Sequence, residues 1–199
     1  MEKNVWVISG IHGTGKSTLK KYLVEERECI PADGLKCGKV KDKFVSLLIS
    51  LDKNIAHMAR ANQIAKANPH RKVIFIRSQL DTLAQAAALE SCGYITEEQL
   101  KFFRDLCIKM STKLNAQVDP SRVIWLHPDM DTVNSFITKR RKEKVERGEE
   151  VDPYKFKENE IYQERLNSYT EAGYIGTNVI DITTIGNRRI SDVVKAMKL

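Results

Sequence analysis

The chain has 199 residues, 42% of them hydrophobic and 30% charged, and a formal net charge of +7. That is enough apolar material for one domain with a sizeable core, and no apolar run approaches the roughly 20 residues of a membrane span. The excess of cations suits an enzyme that handles phosphate esters or a protein that binds nucleic acid, but with 7% aromatic residues and no basic–aromatic tract the composition disfavours a stacking platform for single strands.

Short apolar strands alternate with longer helical patterns, which is the signature of a parallel α/β sheet. The first strand spans about 4–9 around Val5-Trp6-Val7-Ile8. It runs into Gly10-Ile11-His12-Gly13-Thr14-Gly15-Lys16-Ser17, which fits the phosphate-binding pattern G-x-x-x-x-G-K-[ST] at every fixed position. A helix over 16–27 follows, with Leu19, Tyr22 and Leu23 on one face. In this strand–loop–helix setting the glycines turn backbone N–H groups toward phosphates, and the helix N-terminus adds positive potential. Lys16 then reaches the β- and γ-phosphates of ATP, and Ser17 ligates Mg²⁺. Gly10, His12, Gly13, Thr14, Gly15, Lys16, Ser17 and Thr18 form the expected nucleotide-binding set.

A short second strand falls near 29–32. Residues 39–67 read as a long helix, because Val40, Phe44, Leu47, Leu48, Leu51, Ile55, Met58 and Ala59 recur at three and four; Asn68-Pro69 ends it. His57 falls near that stripe and reads as a packed core residue. The third strand is Val73-Ile74-Phe75-Ile76, followed by a helix over about 80–91 that Gly93 stops. Thr96 and Gln99 form a capping box that opens a helix reaching 117. The fourth strand is Val123-Ile124-Trp125-Leu126, and Asp129 caps the helix beyond it. Trp6 and Trp125, both in strands, read as core.

That helix runs into Lys139-Arg140-Arg141-Lys142, then 143–150, a charged stretch at which pairs such as Glu143–Arg147 stabilise a solvated face. Leaving the helix after strand four, a lid over about 138–152 can also close over phosphates held at the strand ends. Arg140 and Arg141 are the first candidates to neutralise transition-state charge, with Lys139 and Arg147 behind them. Asp152-Pro153 starts a helix over about 153–172; the fifth strand is Val179-Ile180-Asp181-Ile182, and a last helix carries Ile190, Val193, Val194 and Met197. The expected architecture is one domain, 1–199, with a three-layer P-loop NTPase fold: a five-stranded parallel sheet flanked by helices, with a basic lid. Cys29, Cys37, Cys92 and Cys107 form no C-x-x-C pair and read as reduced thiols of a cytoplasmic protein. The amino terminus is a short polar lead with no secretory pattern.

The phosphate loop, Ile76-Arg77-Ser78 at the end of strand three, Glu90 to Leu100, Trp125-Leu126-His127-Pro128-Asp129, the basic lid and Tyr162-Gln163-Glu164-Arg165-Leu166 share one order and spacing. In this the chain resembles the deoxynucleoside kinase and thymidylate kinase group of P-loop kinases. The resemblance implies transfer of the γ-phosphoryl group of ATP, with Mg²⁺, to the 5′-hydroxyl of a nucleoside. It implies that Arg77 touches the transferred phosphate and the acceptor oxygen; the plainer reading pairs Arg77 with a helix terminus or Asp81. The group carries a carboxylate before the arginine-serine pair, where this chain has Ile76, and a glutamate base after strand two, where it has Ala32. Asp33, one residue on, is the candidate to orient or deprotonate the hydroxyl. The glutamine that reads the base has no clear counterpart; Asp52, Asn54, Arg60 and Gln63 are the candidates. A nucleoside monophosphate kinase, a non-catalytic nucleotide-binding homologue and a polynucleotide-end kinase remain open alternatives. Related kinases pair through helices such as 39–67 and 96–117, so a homodimer is compatible with the resemblance.

Overall fold

The computed structural model describes residues 2–32, 40–114, 116, 119–127, 129–149, 155–171, 178–181 and 187–199. The elements in chain order are β1 (Val5–Ser9), α1 (Lys16–Arg27), β2 (Ile30–Pro31), α2 (Lys43–Ala67), β3 (Val73–Ile76), α3 (Gln79–Ser91), α4 (Glu97–Lys113), β4 (Val123–His127), α5 (Met130–Glu146), α6 (Lys155–Glu171), β5 (Asn178–Asp181) and α7 (Asn187–Met197). The strands form one parallel sheet in the order β2-β3-β1-β4-β5. Four are full strands. The expected second strand is only a two-residue edge, Ile30–Pro31, where the proline has no N–H to offer a further neighbour.

β1, β3 and β4 are apolar on both faces because helices cover both. Val5, Val7, Val73, Phe75, Val123 and Trp125 pack in one core with residues of α2 to α6. Trp6, Ile8, Ile74, Ile124 and Leu126 point the other way, into a second core with Leu19 and Leu23 of α1 and Val193 and Met197 of α7. The result is the expected three layers, and both tryptophans are buried in them.

Helix ends follow their caps. The Asp42 side chain accepts from the Val45 N–H, so α2 begins at Lys43 rather than 39. The Thr96–Gln99 capping box is present, and the Asp129 carboxylate accepts from Asp131 and Thr132. The helix opened by Thr96 ends at Lys113, short of 117. The helix runs into the basic stretch as expected: Lys139 to Glu146 is the last part of the continuous helix α5. Arg147 pairs with Glu149 at 3.2 Å and donates to the backbone carbonyl of Glu143, not to its carboxylate. The Asp152-Pro153 start and the rest of the lid beyond 149 lie outside the described residues, as does Asp33.

Candidate active site

The sheet order reverses at β1, whose neighbours β3 and β4 lie on opposite sides, and the phosphate loop leaves its C-terminal end. This is the crevice in which α/β sheets bind ligands. Gly10 has φ 137°, and a Cβ there would stand 2.9 Å from the Leu126 carbonyl oxygen, so only glycine lets the loop leave β1 this close to β4. Gly15 caps α1 in a left-handed conformation, φ 77°. Lys16 is buried; its Nζ donates to the Gly10 carbonyl at 2.7 Å, to the Thr14 hydroxyl at 3.2 Å and to the Ile11 carbonyl. The ammonium therefore spans the loop and ties its carbonyls together from within.

Arg77 follows β3 with φ 68°, a left-handed conformation that costs a non-glycine residue about 1–3 kcal/mol. That turn directs its guanidinium at the loop, where Nη2 lies 3.0 Å and 3.2 Å from the two ring nitrogens of His12. Asp81 is not its partner. The buried Asp81 carboxylate accepts instead from the Ser9 hydroxyl at 2.7 Å, the Gly10 N–H at 3.2 Å, the Ser78 N–H at 3.0 Å and the Tyr162 hydroxyl at 3.3 Å. One carboxylate thus ties the phosphate loop, the arginine-serine turn and α6 together. Burial, and the Asp81 charge after it, push the Tyr162 phenol well above its ordinary value, so it remains a neutral donor.

A cavity of about 580 Å³ opens over this loop. His12, Gly13, Thr14, Gly15, Lys16, Ser17 and Thr18 form one wall, and Arg77, Ile76 and Ala32 sit at the strand ends. Arg140 reaches it from α5, because Val133 and Ile137 on the same face of that helix pack over Gly13. Arg141, turned about 100° further round the helix, does not line the cavity. Gly10 lies behind the loop, where its carbonyl holds Lys16. The Ser17 hydroxyl opens on the cavity and makes no hydrogen bond to the described protein. It fits Mg²⁺, which takes one or two protein oxygens and completes its octahedron with phosphate and water.

The remaining wall is a stripe of α2: Ser50, Lys53, Asn54 and His57, at i, i+3, i+4 and i+7. Of the four candidates for reading the base, only Asn54 faces the cavity; its amide donates to the Ser78 carbonyl at 3.0 Å and the Thr82 hydroxyl at 2.7 Å, while Asp52, Arg60 and Gln63 are exposed. His57 is buried as expected, yet on the cavity rather than within the apolar core. A smaller recess of about 160 Å³ shares His12, Ser50 and Gln85 with the main cavity and ends at Leu47, Leu89 and Glu158. Gln85 donates to Glu158 at 3.5 Å there.

No family model and no curated protein matches the sequence. Solved structures do. A deoxyadenosine kinase from M. mycoides with bound dATP superposes with a TM-score of 0.70 over 98% of this chain and 100% of its own, at 16% identity. The chain has the deoxyadenosine kinase fold. The same kinase with bound dCTP gives a TM-score of 0.62 at 15% identity, and with dCMP and a flexible dCDP 0.60 at 17%, each covering 98% of both chains. The end-to-end likeness to deoxyadenosine kinase embraces every element around the cavity.

Of the polar stripe of α2 only Asn54 was singled out in the sequence as a site candidate, and the Asp81 hub was missed. The stripe had a signal: its four residues recur at helical spacing beside the apolar one. The Ser78–Asp81 capping box was the hub's one local signal; its bond to Ser9 had none, because Ser9 and Asp81 lie 72 residues apart.

Proposed function

We propose that the chain is an ATP-dependent kinase that transfers the γ-phosphoryl group to the 5′-hydroxyl of a deoxynucleoside. The observation that carries this is the shared cavity: the phosphate loop and an arginine held in a left-handed turn face one space, in a chain shaped throughout like deoxyadenosine kinase. His12, Gly13, Thr14, Gly15, Lys16, Ser17 and Thr18 bind the donor phosphates, with Gly10 shaping the loop. Bound at Ser17, Mg²⁺ supplies charge neutralisation to the phosphate oxygens. Arg77 holds the oxygens of the group in flight, Arg140 closes on it from α5, and Asp33 orients the acceptor hydroxyl. The recess between Leu47, Leu89 and the Gln85–Glu158 pair receives the base, with apolar walls for its faces and hydrogen-bonding groups for its edge.

The work done by such a site is positioning and electrostatics. Lys16, Arg77 and Arg140 converge on the place where negative charge is exchanged. No described helix is long and apolar enough to cross a membrane, and the cytoplasm is the location this activity implies. The exposed Phe102 and Ile108 of α4 and Val45 of α2 suit a homodimer formed through those helices.

The test is a mass-spectrometric screen of ribo- and deoxynucleosides and their monophosphates with Mg·ATP. The expected result is a 5′-monophosphate formed from at least one deoxynucleoside. Mg·ATP binding with no acceptor-dependent product across the panel contradicts the proposal.

A further inference from the structure

Phosphoryl transfer to a hydroxyl must dispose of the hydroxyl proton, and none of the described residues that line the cavity is an aspartate or glutamate. Two imidazoles line it, those of His12 and His57, and the His12 ring is engaged by Arg77. His57 is 8% exposed, and neither ring nitrogen has a hydrogen-bond partner among the described residues. A buried imidazole with both nitrogens unsatisfied is uncommon in a packed core. This one stands on the cavity wall, one turn from Lys53 and Asn54 on the same stripe of α2.

Resting on the kinase reading above, we propose that His57 contacts the acceptor nucleoside and takes the proton from its hydroxyl. The acceptor oxygen forms a bond to the γ-phosphorus as the bond from that phosphorus to the β,γ-bridging oxygen breaks. ADP leaves with the electron pair of the broken bond. The hydroxyl proton passes to a ring nitrogen of His57, which later yields it to water. The other ring nitrogen is the donor of the neutral tautomer and is available to a second acceptor atom of the nucleoside.

The surroundings suit a proton acceptor. Burial is the main cause that lowers the His57 pKa from 6.5, and the charges of Lys53, Lys20 and Arg60 lower it further. Lys53 and Arg60 share its helix, and Lys20 faces it from α1. Lys16, Arg77, Arg140 and His12 stand around the same cavity, while α3 presents the uncharged Thr82 and Gln85 and the strand ends Ala32 and Ile76. The ring is therefore neutral at pH 7, able to accept a proton and ready to lose it again.

The experiment uses the full chain with Mg·ATP and, as acceptors, deoxyadenosine and deoxycytidine. kcat/KM is followed from pH 5 to 9 for wild type and His57→Gln, with calorimetric Mg·ATP affinity alongside. The wild type is expected to lose activity with unit slope as pH falls through a value below 6.5. His57→Gln is expected to fall about 10²–10⁴-fold at pH 7, to lose that acid limb and to keep its Mg·ATP affinity within twofold. A variant within threefold of wild type, a variant that retains the limb, or a wild-type profile flat down to pH 5 overturns the proposal. The wild-type profile decides the matter even where the variant fails to fold. Wild type that binds Mg·ATP and phosphorylates neither nucleoside overturns this step and the kinase reading together, whereas turnover insensitive to His57 overturns this step alone.

Discussion

At the scale of single residues, Arg77 carries the clearest conflict between stability and function. Its φ of 68° suits glycine, and its guanidinium faces the phosphate loop. Arg77→Gly relieves the backbone strain while deleting the charge. The variant is expected to be as stable as wild type or up to about 1 kcal/mol more so, raising Tm by about 2–4 °C. Its turnover is expected to fall about 10²–10³-fold, the usual loss on removing one donor to a charged transition state. Thermal melts and steady-state rates check the pair; a destabilised variant with near-normal turnover reverses the reading. Arg77 was legible through the arginine-serine resemblance, but its partner was not. Only the fold shows that His12 takes that place and that Asp81 is engaged elsewhere.

At the scale of elements, Asp81 fastens α3 to β1 and α6. Asp81→Ala leaves the Ser9, Gly10, Ser78 and Tyr162 donors buried without their acceptor. The expected cost is about 3–5 kcal/mol in denaturant unfolding, with a loosened phosphate loop and weaker Mg·ATP binding. A loss under 1 kcal/mol contradicts the hub. The same contact gives an alkaline signature. Tyr162 holds its proton more tightly folded than unfolded, so its contribution is complete below its unfolded value of 10.0 and is lost as pH rises from there toward the folded value. Stability measured above pH 10 is expected to fall less steeply in Tyr162→Phe than in wild type. An equal slope in the two proteins assigns the alkaline loss to other groups. The helices and full strands were legible in outline because their apolar stripes and runs record burial directly: Val5 to Ile8 is apolar throughout since both sheet faces are covered. Ile30–Pro31 was harder to bound, because an edge strand of two residues carries no period. That the charged stretch 139–146 continues α5 was not legible, because charge marks exposure and says nothing of whether a helix continues.

At the scale of the whole molecule, the cavity joins distant parts of the chain: the phosphate loop with the start of α1, the end of β2, α2, the end of β3 with α3, and α5. The loop was readable because its chemistry demands glycines and a lysine at fixed spacing. Of the α2 wall only Asn54 was picked out as a site residue, because an apolar stripe dominates that helix and the polar stripe beside it gains meaning only when a cavity faces it. The exposed faces of α4 and α2 bear on assembly. Phe102→Glu is expected to convert a dimer to a monomer in sedimentation equilibrium, and a wild-type chain already monomeric at tens of micromolar removes the dimer. The most direct measurement of the central claim follows labelled γ-phosphate from Mg·ATP in the presence of deoxyadenosine or deoxycytidine, comparing wild type with Lys16→Ala. The account expects label in a nucleoside 5′-monophosphate for wild type and a loss of at least about 10²-fold in a variant that still folds. Label that stays in ATP with wild type, or transfer that survives without the Lys16 ammonium, contradicts it.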